Sequence, residues 1–354
     1  MTPNKPLRVA LIGAGRIGSS HARILAHRVV GADLVAVVDP TPSAEHLATE
    51  LGIVAYATAA ELFDHDPVDA VIITTPARTH ADLVVEAAAK GVHVFVEKPM
   101  AVTLNDAERA IAAARAADVV LQVGFNRRFA AGFAAARRRI EAGDIGQPQL
   151  LRSLTRDPGP YAGDPYTVPQ WTIFLETLIH DFDTLCYLNP SARPVEVTAH
   201  ADCLVVPEAF DSGFLDTATV TIRFDNGALA TAEASFSAVY GYDVRGEVFG
   251  SHGMMTMGDI RATDMTFYGA GGQSSATSRA DTELLYDAYL SELQSFVDAI
   301  TTGRPSAVPG EAARTALTIA LGAIRSVELG ESVALSSSNS TASTTGVHAE
   351  KEGI

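Results

Sequence analysis

The chain has 354 residues, of which 47% are apolar and 19% charged, and its formal net charge is −16. That length is enough for two domains with separate cores, and no apolar run reaches the roughly 18 residues that a membrane helix needs. So acidic a surface repels phosphate backbones and argues against nucleic acid as a partner. The two cysteines, Cys186 and Cys203, lack metal-type spacing and read as reduced thiols, with no metal site expected.

The first apolar stretch runs directly into a glycine-rich turn instead of a cleavage site, which predicts a first strand and a cytoplasmic protein. In chain order, short apolar runs predict strands at Leu7–Ile12, Leu34–Asp39, Ala70–Thr75, Val92–Glu97 and Val119–Gly124. Alanine-rich helical segments, including Thr79–Lys90 and Leu104–Ala117, lie between them. This alternation predicts a doubly wound parallel sheet, an α/β Rossmann domain over residues 1–125.

After Asn126 the pattern changes. Helices are expected at Arg128–Ala142 and Ile173–Leu188, with an irregular loop between them. The basic run Arg137-Arg138-Arg139 reads as a solvated helix face. Strands Ala218–Phe224 and Ala228–Phe236 flank Asp225-Asn226-Gly227, a hairpin signal. Val244–Gly250 and Gly253–Gly258 read as a second hairpin, and helices near Glu283–Thr302 and Glu311–Glu328 follow. Residues 126–334 are therefore expected to form an α+β domain with a large, mostly antiparallel open sheet. The serine- and threonine-rich residues 335–354 are expected to be a disordered tail.

Gly13-Ala14-Gly15-Arg16-Ile17-Gly18 follows the first strand and opens a helix. In that context Gly13 permits a tight turn, Gly15 lets backbone approach a pyrophosphate, and Gly18 lets helix and strand pack closely. Helix-start amides then face the phosphates. Asp39 ends the second strand, where a carboxylate bonds the adenosine ribose and repels a 2′-phosphate, so NAD is favoured over NADP. Arg16 is the residue of the turn that speaks for NADP. Thr75-Pro76, with His80 just beyond, and Glu97-Lys98-Pro99 end the next strands, at the edge where ligands of open α/β sheets bind. Pro99 restricts Lys98 to extended geometry and admits a cis bond before it.

Glu176 and His180 stand four residues apart in a predicted helix and so share a face. An imidazole with an ordinary pKa near 6.5 suits removal of a hydroxyl proton, a carboxylate beside it can orient it, and a lysine can favour alkoxide character.

GAGRIG, TTPARTH, VEKPM and GFNRRF, in that order, resemble the Gfo/Idh/MocA oxidoreductases. ETLIHDFD and YGYDVRGEVFGSHGMM are similar to the inositol 2-dehydrogenase branch, and the resemblance spans roughly residues 7–330. It implies NAD-dependent oxidation of a ring hydroxyl of an inositol or pyranose, with Lys98, His180 and Glu176 catalytic. Position 176 departs from the aspartate usual there. It also implies cofactor contacts from Gly13, Ala14, Gly15, Arg16, Ile17, Asp39, Thr75, Pro76, His80, Glu97, Lys98 and Asn126. Substrate contacts are expected from Arg127, Asp157, Trp171, Thr177, Tyr242 and Tyr289, where position 157 is usually asparagine. A homo-oligomer, dimer or tetramer, is expected through the open sheet. Two other readings stay open on the same fold: an NAD-dependent glycoside-cleaving enzyme without net redox change, and a non-enzymatic NAD-sensing regulator.

Overall fold

Alternation of apolar side chains on both sides of the first strand sets the architecture. The computed structural model describes residues 5–159, 163–190 and 192–335. Strand β1 (Leu7–Ile12) sends Val9 and Leu11 into one core and Ala10 and Ile12 into another. A strand buried on both faces needs cover on both, as in a doubly wound sheet. The first half supplies it with α1 (Arg16–His27), β2 (Ala32–Val38), α2 (Ser43–Leu51), β3 (Val54–Tyr56), α3 (Ala59–His65), β4 (Ala70–Ile73), α4 (His80–Ala89), β5 (His93–Glu97), α5 (Leu104–Ala116) and β6 (Leu121–Gly124). The sheet order is β3-β2-β1-β4-β5-β6, with every pair parallel. The strand order reverses between β1 and β4, which opens a crevice above their carboxyl ends.

The second half contains α6 (Ala131–Glu141), β7 (Pro148–Arg156), α7 (Ile179–Tyr187), β8 (Pro194–Asp202), β9 (Thr217–Phe224), β10 (Leu229–Ser235), β11 (Asp243–Gly250) and β12 (Gly253–Met257). These are followed by β13 (Arg261–Gly269), β14 (Gly272–Thr277), α8 (Asp281–Leu284), α9 (Tyr286–Thr302), α10 (Gly310–Leu329) and β15 (Val333–Ala334). Seven strands form one sheet in the order β12-β11-β7-β10-β9-β8-β15. Only the β7–β10 pair is parallel. The helices of this half cover both sheets. On α9, Leu293, Phe296 and Val297 pack into the core of the first sheet, and α10 touches α5, α7 and β8.

Several elements differ from the sequence expectation. β3, α3, β7 and β8 were not expected. β7 lay inside the predicted irregular loop because its sequence, PQLLRSLTR, buries residues without strict alternation. The β13–β14 hairpin is almost wholly exposed, so it carries no apolar period to read. The helix expected from Arg128 begins at Ala131, because Ala130 is extended (φ −66°, ψ 131°) after a 3₁₀ turn at Asn126–Phe129. The helix expected at Ile173–Leu188 starts with a π-helical turn, Ile173–Leu178, and turns α-helical at Ile179. Leu335 of the expected tail donates its amide to Val195, and the rest of that tail lies outside the described residues.

Buried ion pairs pin the crossover between the halves. The Arg127 guanidinium donates to Asp181 at 2.7 Å and to the Thr155 hydroxyl at 2.5 Å. Ser153 and Thr155 donate to the same carboxylate. Arg128 forms a two-pronged pair with Asp183 at 2.5 and 2.8 Å. Removing one partner of such a pair leaves an uncompensated buried charge. Asp181→Ala is therefore expected to cost about 3–5 kcal/mol, read as a lowered urea midpoint or loss of soluble protein. A variant with the wild-type midpoint would show that Arg127 does not depend on this partner.

Candidate active site

The cradle after β1 has the three properties its glycines require. Gly13 has φ +105°, and a Cβ there would lie 2.8 Å from the Thr74 and Thr75 backbone. A Cβ on Gly18 would sit 1.9 Å from the Gly13 carbonyl oxygen. A Cβ on Gly15 would meet nothing within 4 Å, so that side of the turn is open. The first amides of α1, at Arg16 and Ile17, have no partner within the helix and form the positive end of its dipole. Asp39 closes the cradle. One carboxylate oxygen accepts the Ala14 amide at 2.8 Å, and the other accepts the Thr41 amide and hydroxyl at 2.9 and 2.6 Å. Burial raises the Asp39 pKa, but these bonds outweigh burial and hold it below the usual carboxylate range. The Ala14 amide, expected to face phosphates, is thus spent on Asp39.

At the end of β5, a cis Lys98–Pro99 bond follows Glu97. The Lys98 ammonium donates to the Glu176 backbone carbonyl at 3.0 Å and to its carboxylate at 3.2 Å. Glu176 therefore pairs with Lys98, and no bond joins it to His180. The wider π-helical turn carries Glu176, whose side chain is 46% exposed, away from a role orienting the imidazole. His180 stands edge-on to Phe125, with ring centroids 5.9 Å apart. Its Nδ1 is buried without a partner among the described residues. Burial first, then the charges of Lys98 and Arg127, lower its pKa well below the ordinary value, so the ring is neutral at pH 7.

The other expected residues divide into two groups. Thr177 adjoins Glu176 in the chain, and the half-buried Tyr242 feels the charges of Asp157, Asp281, Arg16 and Arg127, while burial, the largest effect, raises its phenol pKa. Burial likewise raises the Asp157 carboxyl pKa, to about 6, against the opposing charges of Arg127 and Lys98. Asn126 is buried, with its side-chain oxygen unpaired. Other residues are committed elsewhere. Both ring nitrogens of His80 meet carbonyl oxygens, of Pro99 at 2.8 Å and Thr75 at 2.7 Å, so His80 staples two strand ends. Arg127 is consumed by Asp181, and the Thr75 hydroxyl bonds Thr79 at 2.7 Å. Arg16 reaches across the chain to Asp281 at 2.6 Å. Tyr289 is buried against His21, and its hydroxyl donates to Asp281 at 3.3 Å. Trp171 has φ +71° and packs on Phe174, as an anchor of its loop.

Residues 7–125 match the family described as "Oxidoreductase family, NAD-binding Rossmann fold", and residues 133–256 match the GFO/IDH/MocA C-terminal domain. The chain belongs to the Gfo/Idh/MocA oxidoreductase family. It is 38% identical to a myo-inositol 2-dehydrogenase of Thermotoga maritima, over 93% of this chain and 98% of that one. It is 36% identical to a scyllo-inositol 2-dehydrogenase (NAD(+)) of Bacillus subtilis, over 93% and 96%. The crystal structure of a scyllo-inositol dehydrogenase from Lactobacillus casei, with NAD(H) and scyllo-inositol bound, superposes with a TM-score of 0.89 at 26% identity, covering 94% and 99%.

The cradle of this Gfo/Idh/MocA chain fits NAD: open space at Gly15, an acid at Asp39 and an unpaired buried amide oxygen at Asn126. Sequence reasoning missed Asp281, which meets both Arg16 and Tyr289. It also missed His21, which bonds Glu97 at 2.8 Å. His21 stands three residues past the last glycine of the cradle, and that position was the available signal. The raised Asp157 pKa means that the folded protein keeps a proton that the unfolded chain releases between pH 4 and 6. That stability is present below pH 4 and is lost as pH rises through 6. The Tm advantage of Asp157→Asn over wild type should therefore grow from pH 4 to 6 and then level off. A pH-independent difference in melting scans would refute the burial.

Proposed function

We propose that this protein is an NAD-dependent inositol dehydrogenase that oxidises a ring hydroxyl to the ketone. The observation that carries the reading is the meeting of Lys98, from the first half, with the Glu176–His180 segment of the second. The inositol dehydrogenases among its relatives span the same length of chain. Division near residue 125 gives the first half to the cofactor and residues 126–334 to substrate and assembly.

Bound NAD supplies the hydride acceptor. The amides of Gly15, Arg16 and Ile17 would hold its pyrophosphate and Asp39 its adenosine ribose, and Pro76, Glu97 and Asn126 would lie beside the nicotinamide. Lys98 binds the reacting hydroxyl and stabilises negative charge on its oxygen. His180 accepts the hydroxyl proton. With Nδ1 buried, Nε2 is the nitrogen that takes it. A base pKa below 6.5 keeps the ring ready at neutral pH, while the low basicity limits how strongly it pulls, so Lys98 must lower the hydroxyl's own pKa. Glu176 fixes the ammonium, and Asp157, Thr177 and Tyr242 contact the remaining hydroxyls of the ring.

Assembly is proposed through the seven-stranded sheet. Met254, Phe249, Leu150 and Leu229 are paired in register across β12, β11, β7 and β10, and each is between 43% and 57% exposed. Paired residues share a face, so they form one apolar row, which suits a second copy of the chain.

Initial rates at 340 nm with NAD and myo- or scyllo-inositol should show NADH formation. Lys98→Ala should lose about 10²–10⁴-fold in kcat, the range for a lost charge-stabilising group or acid–base catalyst. Full activity in that variant would overturn the role. Light scattering on eluted protein should show an oligomer for wild type and a smaller species for Leu150→Asp. Unchanged mass in the variant would remove this face from the assembly.

A further inference from the structure

Behind the Lys98 turn lies a group of ionisable side chains of which only Glu97 has a place in the proposed cofactor site. His21 of α1, Glu97 of β5 and Glu292 of α9 place one nitrogen or oxygen atom each within 4.8 Å of the others, all buried. His21 Nε2 meets one Glu97 oxygen at 2.8 Å, and the other Glu97 oxygen accepts the Lys98 amide at 3.1 Å. Gly124 makes room for that carboxylate, since a Cβ there would lie 3.0 Å from it. Both carboxyl oxygens of Glu292 are buried without a partner among the described residues, as is Nδ1 of His21.

We propose that His21 and Glu292 are positioning residues for Lys98: His21 anchors the carboxylate that holds the Lys98 turn, and a proton kept on Glu292 prevents a second negative charge from displacing it. The proposal rests on the dehydrogenase reading for its rate consequences and on geometry alone for its stability consequences.

Two carboxylates this close in a dry pocket do not both ionise. Burial raises the pKa of both acids. At Glu97 the His21 bond and the nearby charges outweigh burial and hold the group below the usual range. At Glu292 the Glu97 charge adds to burial and pushes the group well above it. The groups around the pair are few. From α1 comes His21, and from β5 come Glu97 and Lys98. Gln122 of β6 donates to the Glu292 backbone carbonyl. Tyr289 of α9 stacks edge-on to His21 and bonds Asp281 of α8, which also holds Arg16. The turn at Asn126–Phe129 also packs on α9, but its Arg127 and Arg128 are paired with Asp181 and Asp183. Glu292 therefore has no cation of its own among the described residues, and its ionisation sets two negative charges against each other beneath Lys98.

The sign of the stability effect follows from linkage. A carboxyl whose folded pKa is raised stabilises fully below its unfolded pKa and loses that contribution as pH rises through the folded value. Glu292→Gln cannot ionise. Melting temperatures of wild type and Glu292→Gln, measured from pH 5 to 9, should diverge in favour of the variant as pH rises from the ordinary carboxyl range towards the raised folded value. Parallel curves would overturn the proton on Glu292, whatever the enzyme turns over. In inositol oxidation with saturating NAD, Glu292→Gln should hold its kcat to higher pH than wild type, and superimposable profiles would overturn the link to Lys98. His21→Leu removes the anchor and should lower kcat about tenfold or more, the scale on which small misplacements act, with the NADH dissociation constant changed less than about threefold. His21→Gln, whose amide reaches the same carboxylate, should restore most of the rate. Equal losses in both His21 variants, or a loss confined to NADH binding, would refute positioning through Glu97. An enzyme inactive on every inositol would refute the dehydrogenase reading while leaving the melting test intact.

Discussion

The contact on which the site depends is a lysine ammonium held by two oxygens of one glutamate across the seam between the halves, at 3.0 and 3.2 Å. Lys98 rides on the end of a strand whose neighbours are all parallel and buried, so its base cannot shift without disturbing the sheet. Glu176 rides on a π-helical turn whose extra residue per turn sets its carbonyl and carboxylate toward the crevice. An ammonium placed in this way is a fixed charge, and in the proposed reaction a fixed charge needs no reorganisation as an alcohol loses its proton beside it.

Buried charge pairs surround that contact. Arg127–Asp181, Arg128–Asp183 and His21–Glu97 all lie where segments distant in sequence meet. Such pairs contribute little net stability, because desolvation cancels much of their attraction, but a wrong arrangement leaves a bare charge in the core. Their effect is to make alternative packings of the crossover costly. The same logic applies to Arg127 and His80, polar residues that tie the frame together: the two terminal nitrogens of Arg127 meet Asp181 and Thr155, and both ring nitrogens of His80 face backbone carbonyls.

The neutral state of His180 and the raised pKa of Asp157 have a common cause. Both groups are buried, and loss of water penalises whichever form is charged. For a base this keeps the ring unprotonated. For an acid it delays ionisation to about pH 6.

Much of the first half was legible in the residues themselves. Strict apolar runs bounded by glycine announce buried parallel strands, and the cradle glycines answer to local sterics that no distant contact can change. The DNG hairpin was legible for the same reason, since its turn chemistry is local. β7 and the exposed β13–β14 pair were not, because their strand character comes from neighbours brought by the fold and not from their own periodicity, whereas β8 alternates Val195, Val197, Ala199 and Ala201 and was legible but missed. At the site, sequence brought Lys98, Glu176 and His180 forward as the expected reactive set but drew Glu176 toward His180 along an ideal helix. Only the tertiary structure, with its π turn and the reach of Lys98 from the other half, decided which carboxylate oxygen meets which cation. Sequence determines which groups the chain owns and how each short segment bends. Partnership among charges depends on distances between segments up to 265 residues apart, such as Arg16 and Asp281, and those distances exist only once the chain has folded.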